Sequence, residues 1–249
     1  MPVLQRISLT LILVAILGGC SSLPEGIDHP AEPYTSYGPS TLSVLADEYQ
    51  PASEQATTAV RLQESGWDAL AQRLALVESA EHTIDIQYYI WNSDESGRYL
   101  ASRLLAAADR GVKVRVMLDD INLNEREGLL SALDAHPNVE IRIFNPTPTR
   151  RGFSKWLSFL GDFSRLNRRM HNKSFTVDGT LSVVGGRNIG DEYFDLSDEI
   201  NFRDRDVLVM GSVVTTIQTS FTEYWDSRWS YPVDMLGDEE QPDLSKIDD

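Results

Sequence analysis

Helical and strand patterns alternate between residues 66 and 144, and this alternation constrains the fold more than any other feature of the chain. Apolar positions three or four apart, beginning at Trp67, predict a helix over Gly66–Ala80, and the β-branched, aromatic run Thr83–Ile90 predicts a strand. The same patterns then predict helix Tyr99–Ala108, strand Val112–Leu118, helix Glu125–Leu133 and strand Val139–Phe144. Strands separated by helices usually pair in parallel. The sequence therefore predicts an α/β layered domain with a mixed, largely parallel β-sheet flanked by helices.

A second group of strands follows in the C-terminal part of the chain. Ser174–Val177 and Leu181–Val184 are predicted strands, and Asp178-Gly179 between them is typical of a tight turn. Asp206–Met210 predicts a further strand, and Val214–Trp229 predicts a closing helix. We expect the folded domain to cover residues 60–231.

The start of the chain has the layout of a secretory signal. Arg6 precedes a short apolar run that ends at Leu17-Gly18-Gly19-Cys20, and the run is too short for a comfortable transmembrane helix. Leu-Gly-Gly-Cys resembles the bacterial lipobox, in which the cysteine carries lipid. We therefore expect a lipoprotein signal peptide over residues 1–19 and lipidation of Cys20. An uncleaved anchor, or an ordinary signal peptide with a chance cysteine, is the alternative.

The segments that flank the predicted domain differ from it in composition. Residues 20–59 are rich in Pro, Ser and Thr and predict a tether, whereas residues 232–249 predict an acidic tail. By resemblance to lipoprotein sorting rules, Ser21 after the cysteine favours the periplasmic face of the outer membrane. Several acyl chains on Cys20 would hold the protein stably on a bacterial membrane.

The pair His171 and Lys173 carries the clearest chemical signal. Residues two apart in an extended segment point to the same side, so an imidazole and an ammonium lie next to each other. The ammonium offsets charge on phosphoryl oxygens, while the imidazole attacks phosphorus or transfers a proton. Taken alone, such a pair is more often a solvated strand face.

The pair belongs to a longer pattern at fixed spacing: His171, Lys173, Asp178, Gly185, Gly186 and Asn188. This pattern resembles the HxKxxxxDxxxxxxGSxN motif of the phospholipase D superfamily, with Gly186 where serine is usual. The segment TIDIQYYIWNSDESG and the later GVKVRVMLDD resemble the opening of a superfamily repeat. Together with the lipoprotein start, these features are most similar to the bacterial cardiolipin synthase C group and its phospholipase D-like relatives.

The resemblance implies the roles of the motif residues. His171 is expected to attack phosphorus and form a phosphohistidine, without metal or cofactor. Lys173, Gly185, Gly186 and Asn188 are expected to bind the substrate phosphate, and the glycines let the backbone approach it closely. Asp178 belongs to the same catalytic motif, but its place in the turn predicts that it holds the hairpin.

The family also has an acidic residue that orients the nucleophilic histidine. In the segment Arg203-Asp204-Arg205-Asp206, the resemblance favours Asp204, with Asp206 as the second choice. Because residues 204 and 206 share a strand face, the sequence does not separate them. Both carboxylates are alternatively solvent-facing acids at a strand edge.

The chain has no second HxK pair. His29, His82 and His136 have no lysine two residues further on, so none of them repeats the motif. The resemblance implies that a second motif supplies the general acid for the leaving group. We expect this chain to be the N-terminal half of a two-motif enzyme, with the second motif on a missing C-terminal half. Pairing of two copies about a two-fold axis is the alternative.

A basic, amphipathic stretch precedes the motif. Arg150 and Arg151 border apolar residues that recur three or four apart, including Phe153 and Trp156. Such a segment suits an anionic membrane interface and would bring the site to the lipid. A core-packing helix with solvated arginines is the alternative.

Charge separates the classes of function. The net charge of −16 argues against nucleic acid as a partner. The resemblance, together with the predicted lipid anchor and the basic amphipathic stretch, implies a phosphatidyltransferase of the cardiolipin synthase type, acting on glycerophospholipids at a bacterial envelope membrane. The alternatives are a phospholipase D-like phosphodiesterase or nuclease active as a homodimer, and a non-catalytic lipoprotein fragment that binds lipid or a partner.

Overall fold

The structure is a computed structural model and describes residues 38–49, 58–120, 127–147 and 169–236. The predicted signal peptide with Cys20, most of the tether and most of the acidic tail lie outside these residues. So does the predicted membrane-interface segment, whose named residues are Arg150, Arg151, Phe153 and Trp156. The chain divides into two units, and one of them, His29–Pro146 with Arg169–Asp249, contains every described residue except Thr147.

This unit is an α/β domain with a single eight-stranded sheet. Its helices are α1 Thr41–Tyr49, α2 Gly66–Ser79, α3 Glu95–Asp109, α4 Glu127–Asp134 and α5 Ser212–Trp225. Its strands are β1 Thr58–Gln63, β2 Thr83–Tyr88, β3 Lys113–Asp119, β4 Val139–Phe144, β5 Ser174–Val177, β6 Leu181–Gly185, β7 Asp206–Gly211 and β8 Ser230–Pro232. Two short 3-10 turns, Asp191–Tyr193 and Val233–Met235, complete the described elements. The helices in the described ranges are too short or too polar to cross a bilayer.

The sheet is mixed, and its strand order is β1-β7-β6-β5-β2-β3-β4-β8. Strands β2, β3 and β4 pair in parallel, as expected for strands that alternate with helices. The other pairings are antiparallel. The predicted α/β class with a mixed sheet is confirmed, but the expectation of a largely parallel sheet holds only for these three strands. The reason is that β5 and β6 form a hairpin, and that β1 and β8 add antiparallel edges.

The two faces of the sheet have separate hydrophobic clusters. Val116 and Met117 are neighbours in β3, and neighbouring side chains of a strand point to opposite faces. Val116 belongs to the larger cluster, which includes residues of α2, α3 and α4. Met117 belongs to the smaller cluster with Phe221 and Trp225 of α5. The helices therefore cover both faces of the sheet, as the layered prediction requires.

Local capping explains where two helices begin. The Ser65 hydroxyl accepts the N–H of Asp68 at 3.0 Å, which stabilises the first turn of α2. The Asp94 carboxylate accepts the N–H of Gly97 at 3.1 Å, so α3 begins at Glu95, four residues before its predicted start.

Trp67, at which the predicted apolar pattern of α2 begins, does not lie on the buried face of this helix. Trp67 is 59% exposed, whereas Leu70, Arg73 and Val77 are buried. Successive helical residues turn by about 100°, so Trp67 lies about a third of a turn from Arg73. The buried guanidinium of Arg73, with its ion pair to Asp206, sets the centre of the face that packs on the sheet.

The pairing of β5 with β2 places the HxK segment where the central strands of the sheet end, at the carboxyl end of β2. Ser174 pairs with Gln87 in antiparallel register, so the residues before Ser174 lie beside the carboxyl end of β2. Gly185, at the end of β6, pairs with Asp206 at the start of β7. The motif residues on both strands of the hairpin therefore meet at these strand ends, except for Asp178 in the turn.

Candidate active site

His171 and Lys173 lie next to each other just before β5, beside the carboxyl end of β2. The Nζ atom of Lys173 is 3.5 Å from Nδ1 of His171 and 3.0 Å from the backbone carbonyl oxygen of His171. Lys173 is 7% exposed, whereas the imidazole is exposed. The imidazole ring is therefore accessible to a substrate, and the Lys173 ammonium lies beside it in a nearly buried position.

The surroundings favour a neutral imidazole. Partial loss of water, and then the Lys173 ammonium, lower the pKa of His171 below its usual value. A neutral imidazole has a free lone pair, which a nucleophile toward phosphorus needs. Burial also lowers the pKa of Lys173, and the carboxylates of Asp204 and Asp206 oppose this effect.

Tyr89 is the aromatic neighbour of this pair. The ring centroids of Tyr89 and His171 are 4.7 Å apart with a tilt of 54°, and Nζ of Lys173 lies 5.5 Å from the Tyr89 centroid. One phenol ring therefore contacts both groups that the motif brings together. The sequence prediction did not name Tyr89.

The two glycines are required by the close approach of the β7 start. A Cβ atom on Gly185 would lie 2.5 Å from the carbonyl oxygen of Arg205 and 2.6 Å from Cα of Asp206. A Cβ atom on Gly186 would instead collide with the side-chain carboxylate of Asp204. The N–H of Gly186 donates to the carbonyl oxygen of Arg205 at 3.0 Å. Gly185 thus packs against backbone and the carboxylate of Asp206, and Gly186 packs against the carboxylate that the sequence favoured as the orienting acid.

The structure separates the environments of the two candidate acids. Asp206 is 1% exposed; its carboxylate pairs with Arg73 at 2.8 Å and accepts the N–H of Arg187 at 3.2 Å. Asp204 is partly exposed, and its field reaches Lys173. In the part of the chain that the structure describes, no hydrogen bond joins Asp204 to His171. Asp206 therefore belongs to a buried ion-pair network, and only Asp204 remains accessible at the site.

Arg73 and Arg187 form the other half of this network. The Nε atom of Arg73 donates to the hydroxyl of Tyr88 at 2.9 Å, and Arg187 donates to the backbone carbonyls of Gln63, Glu64 and Tyr193. Both arginines are buried. Buried arginines are costly unless paired, so the network holds α2, β7 and the segment after β6 in one arrangement. A basic residue on the apolar face of α2 was the sequence signal for Arg73.

Asn188 connects the motif to the end of β2. Its side-chain carbonyl accepts the N–H of Ile90 at 3.1 Å, and Trp91 forms a parallel bridge with Ile189. The carbonyl oxygen can only accept, so the NH₂ group of Asn188 is the part that can donate to a phosphate oxygen.

Asp178 lies at the far end of β5 from His171. Its carboxylate accepts the N–H groups of Glu81, His82 and Thr83 at 3.1, 2.8 and 2.9 Å. Its φ of 49°, followed by 61° at Gly179, gives the tight turn predicted from the sequence. The position is that of a structural residue, and the grouping of Asp178 with the catalytic residues has no support in this geometry.

Asp119 holds the chain just before His171. Its buried carboxylate accepts the N–H of Met170 at 2.8 Å and pairs with Arg169 at 3.2 Å. The sequence signal for it was the Asp119-Asp120 pair directly after the predicted strand Val112–Leu118. No group of three or more His, Cys, Asp or Glu side chains in the described ranges is placed to hold a metal ion.

Comparisons with known proteins agree with the geometry. The family model described as "Cardiolipin synthase, PLD-like domain" matches residues 74–225. Cardiolipin synthase C of Escherichia coli K12 is 51% identical over 175 residues, which are 70% of this chain and 37% of that protein. Cardiolipin synthase 1 of Bacillus anthracis is 34% identical over 176 residues, 70% of this chain and 32% of that protein. The chain therefore spans about a third of the length of these relatives.

Solved structures show the same fold at low sequence identity. NucT from Helicobacter pylori has a TM-score of 0.54 and 16% identity, covering 71% of this chain and 99% of NucT. Phosphatidylserine synthase from Haemophilus influenzae has a TM-score of 0.55 and 17% identity, covering 76% of this chain and 41% of that chain.

Proposed function

Because the chain belongs to the cardiolipin synthase family of phospholipase D-like domains, we propose that it supplies the nucleophilic half of a phosphatidyltransferase acting on glycerophospholipids. The observation that carries this proposal is the contact of His171 with Lys173, in a chain that is 51% identical to a cardiolipin synthase over 175 residues. The chemistry of the site recognises a phosphodiester, and the relatives point to a lipid one.

The reaction has two displacements at phosphorus. In the first, a nitrogen of His171 forms a bond to phosphorus while the bond from phosphorus to the leaving alcohol oxygen breaks, giving a phosphatidyl-histidine. In the second, the hydroxyl of an acceptor lipid attacks phosphorus and the P–N bond breaks. The leaving oxygen takes up a proton in the first step, and the acceptor hydroxyl gives one up in the second.

The charged groups at the site suit these two reaction steps. The Lys173 ammonium and the NH₂ group of Asn188 stabilise charge on the phosphoryl oxygens, and the backbone at Gly185 and Gly186 lets the phosphate approach. At Nδ1 of His171, Lys173 can only donate a hydrogen bond. Attack by Nε2 needs the hydrogen on Nδ1, so Lys173 leaves this contact for the phosphate. Asp204 is then the carboxylate available to orient the ring.

A second motif completes the site. The proton for the leaving alcohol comes from a second histidine, on a C-terminal half or on a second copy of this chain. A phospholipase D-like phosphodiesterase or nuclease active as a homodimer is the second candidate. The net charge of −16 argues against nucleic acid as the substrate.

The proposed location is a bacterial membrane. Lipidation of Cys20 would tether the protein to the cell envelope, and the segment with Arg150, Arg151, Phe153 and Trp156 would contact anionic lipid. Labelled palmitate should enter the wild-type protein but not Cys20→Ser. Trp156→Glu should weaken binding to anionic vesicles, and unchanged binding would refute the interfacial role.

An activated substrate tests the nucleophilic half by itself. Nitrophenolate leaves without being protonated, so a phosphatidyl ester of nitrophenol does not need the second motif. We expect the chain to release one equivalent of nitrophenolate rapidly and to retain an acid-labile phosphatidyl label. His171→Gln, which keeps the size of the side chain, should do neither. Absence of release from the wild-type chain would refute the proposed nucleophile.

The same assay separates the two candidate substrates. A phosphatidyl ester of nitrophenol carries acyl chains, whereas bis-nitrophenyl phosphate presents only the phosphodiester. A faster reaction with the lipid ester supports the phosphatidyltransferase, and equal or faster reaction with the small diester supports the phosphodiesterase.

A further inference from the structure

Tyr89 contacts both members of the HxK pair, with ring-centroid and ammonium distances of 4.7 Å to His171 and 5.5 Å to Lys173. We propose that Tyr89 is a positioning residue whose ring holds the His171 imidazole in its reactive orientation and lies against the Lys173 ammonium. This inference rests on the proposed role of His171 as nucleophile.

The imidazole needs such a support. Among the described residues, the His171 ring has a hydrogen bond with Lys173 and a ring contact with Tyr89, and it has no hydrogen bond or ion pair with a carboxylate. An exposed ring with one long hydrogen bond is otherwise free to rotate about its side-chain bonds. The Tyr89 ring restricts that rotation, because the tilted contact between the two rings is lost when the imidazole turns away.

Tyr89 is itself fixed from both sides along the chain. The preceding residue, Tyr88, is fully buried, and its hydroxyl accepts a hydrogen bond from Arg73 at 2.9 Å. The N–H of the following residue, Ile90, donates to Asn188 at 3.1 Å. The backbone at Tyr89 is therefore held by the ion-pair network on one side and by a motif residue on the other.

The ring, rather than the hydroxyl, carries the proposed role. In the described ranges, no hydrogen-bond partner is found for the Tyr89 hydroxyl. Loss of water, and then the nearby Asp119 carboxylate, raise the pKa of Tyr89, so the hydroxyl stays protonated. A neutral ring accepts the Lys173 ammonium on its face and does not repel an anionic phosphodiester.

Proton NMR titration of His171 tests this role without requiring turnover. Tyr89→Phe keeps the ring and should titrate as the wild-type chain does. Tyr89→Ala lets water reach the imidazole, so the pKa of His171 should rise toward its ordinary value. Tyr99→Ala removes a tyrosine that is 54% exposed on α3 and should change nothing. His171→Gln identifies the resonance among the four histidines of the chain.

The charged groups facing this pair stay unchanged in the tyrosine variants. They are Lys173 at the imidazole, Asp119 and Arg169 at Tyr89, and Asp204 and Asp206 at Lys173. A shift confined to Tyr89→Ala therefore reports the loss of the ring.

The ring contact itself is also observable by NMR. A nuclear Overhauser effect between the Tyr89 and His171 rings should be present in the wild-type chain, because their centroids are 4.7 Å apart. The phenyl ring in Tyr89→Phe should give the equivalent effect, since it keeps the same position. Absence of the effect in the wild-type chain, or a His171 titration in Tyr89→Ala that matches the wild-type chain, would overturn the proposal.

Release of nitrophenolate from the phosphatidyl ester gives the second readout. Misplacing a reacting group by about 1 Å costs up to about a hundredfold in rate. We expect a loss of about ten- to a hundredfold in Tyr89→Ala and less than about twofold in Tyr89→Phe. If Tyr89→Ala does not fold, Tyr89→Leu removes the ring while keeping apolar bulk. A wild-type chain that releases no nitrophenolate contradicts the proposed function, whereas equal loss in the Phe and Ala variants contradicts the role of the ring.

Discussion

Replacing Asp178 by alanine tests whether the aspartate of the motif is structural. Its carboxylate accepts three backbone N–H groups, those of Glu81, His82 and Thr83. Each bond contributes about 1 kcal/mol net in a partly exposed position. The φ of 49° costs alanine about 1 kcal/mol more, because its Cβ crowds the backbone in the left-handed region. We therefore expect Asp178→Ala to lower the free energy of unfolding by about 3 to 4 kcal/mol.

Asp178→Asn is the matched variant. Its side-chain oxygen still accepts the N–H groups of His82 and Thr83, and asparagine tolerates the left-handed region. Only the acceptor for Glu81 is lost, so we expect a loss of about 1 kcal/mol.

Urea unfolding followed by circular dichroism measures these differences, with an unchanged m-value as the check on two-state behaviour. Asp198→Ala, which removes an exposed carboxylate elsewhere, should leave the midpoint unchanged. The NMR titration of His171 should be the same in all three variants, since Asp178 lies at the other end of β5. A loss below about 1 kcal/mol in Asp178→Ala, or a shifted His171 titration in a stable variant, would refute the structural role.

Three further changes follow from the same contacts. Burial, and then the charges of Asp234 and Glu140, raise the pKa of Asp134 from 3.8 to about 6. Because the buried carboxyl of Asp134 prefers its proton, its ionisation destabilises the folded state. This destabilisation is absent at low pH, grows between pH 3.8 and about pH 6, and is complete above pH 6. Asp134→Asn should therefore stabilise the protein by about 1 to 3 kcal/mol at pH 7.5 and leave its stability unchanged at pH 3.5, as measured by urea unfolding. Gly185→Ala should lower the melting temperature, because its Cβ would press on backbone atoms, at a cost of about 1 to 3 kcal/mol. Asp206→Asn should destabilise the fold by about 3 to 5 kcal/mol, because it leaves a buried arginine unpaired. Asp204→Asn should leave stability unchanged and slow nitrophenolate release. A larger loss of stability in Asp204→Asn than in Asp206→Asn would contradict the assignment of the two acids.

The alternation of periodicities was enough to predict the central part of the fold. Strands β3 to β6 fall within a residue or two of their predicted bounds, because their apolar patterns are local properties of the chain. The edge strands β1 and β8 were not predicted. Five of the six residues of β1 are exposed, so no buried pattern marks it, and β8 has only three residues. Their strand conformation comes from pairing with β7 and β4, which the local sequence does not encode.

The sequence by itself predicted which groups of the candidate site lie close together. The spacing of His171, Lys173, Gly185 and Asn188 across a strand, turn and strand specifies which groups meet, because the hairpin fixes their register. It also predicted the tight turn at Asp178, whose conformation is a local property.

Only the tertiary structure decided what surrounds that chemistry. Asp204 and Asp206 are equivalent in the sequence, and they differ because Arg73, from a distant helix, buries and pairs one of them. Tyr89 is one of two adjacent tyrosines, and it contacts His171 because β5 pairs with β2. These distinctions depend on contacts between residues far apart in the chain, and local propensity and spacing carry no information about such contacts.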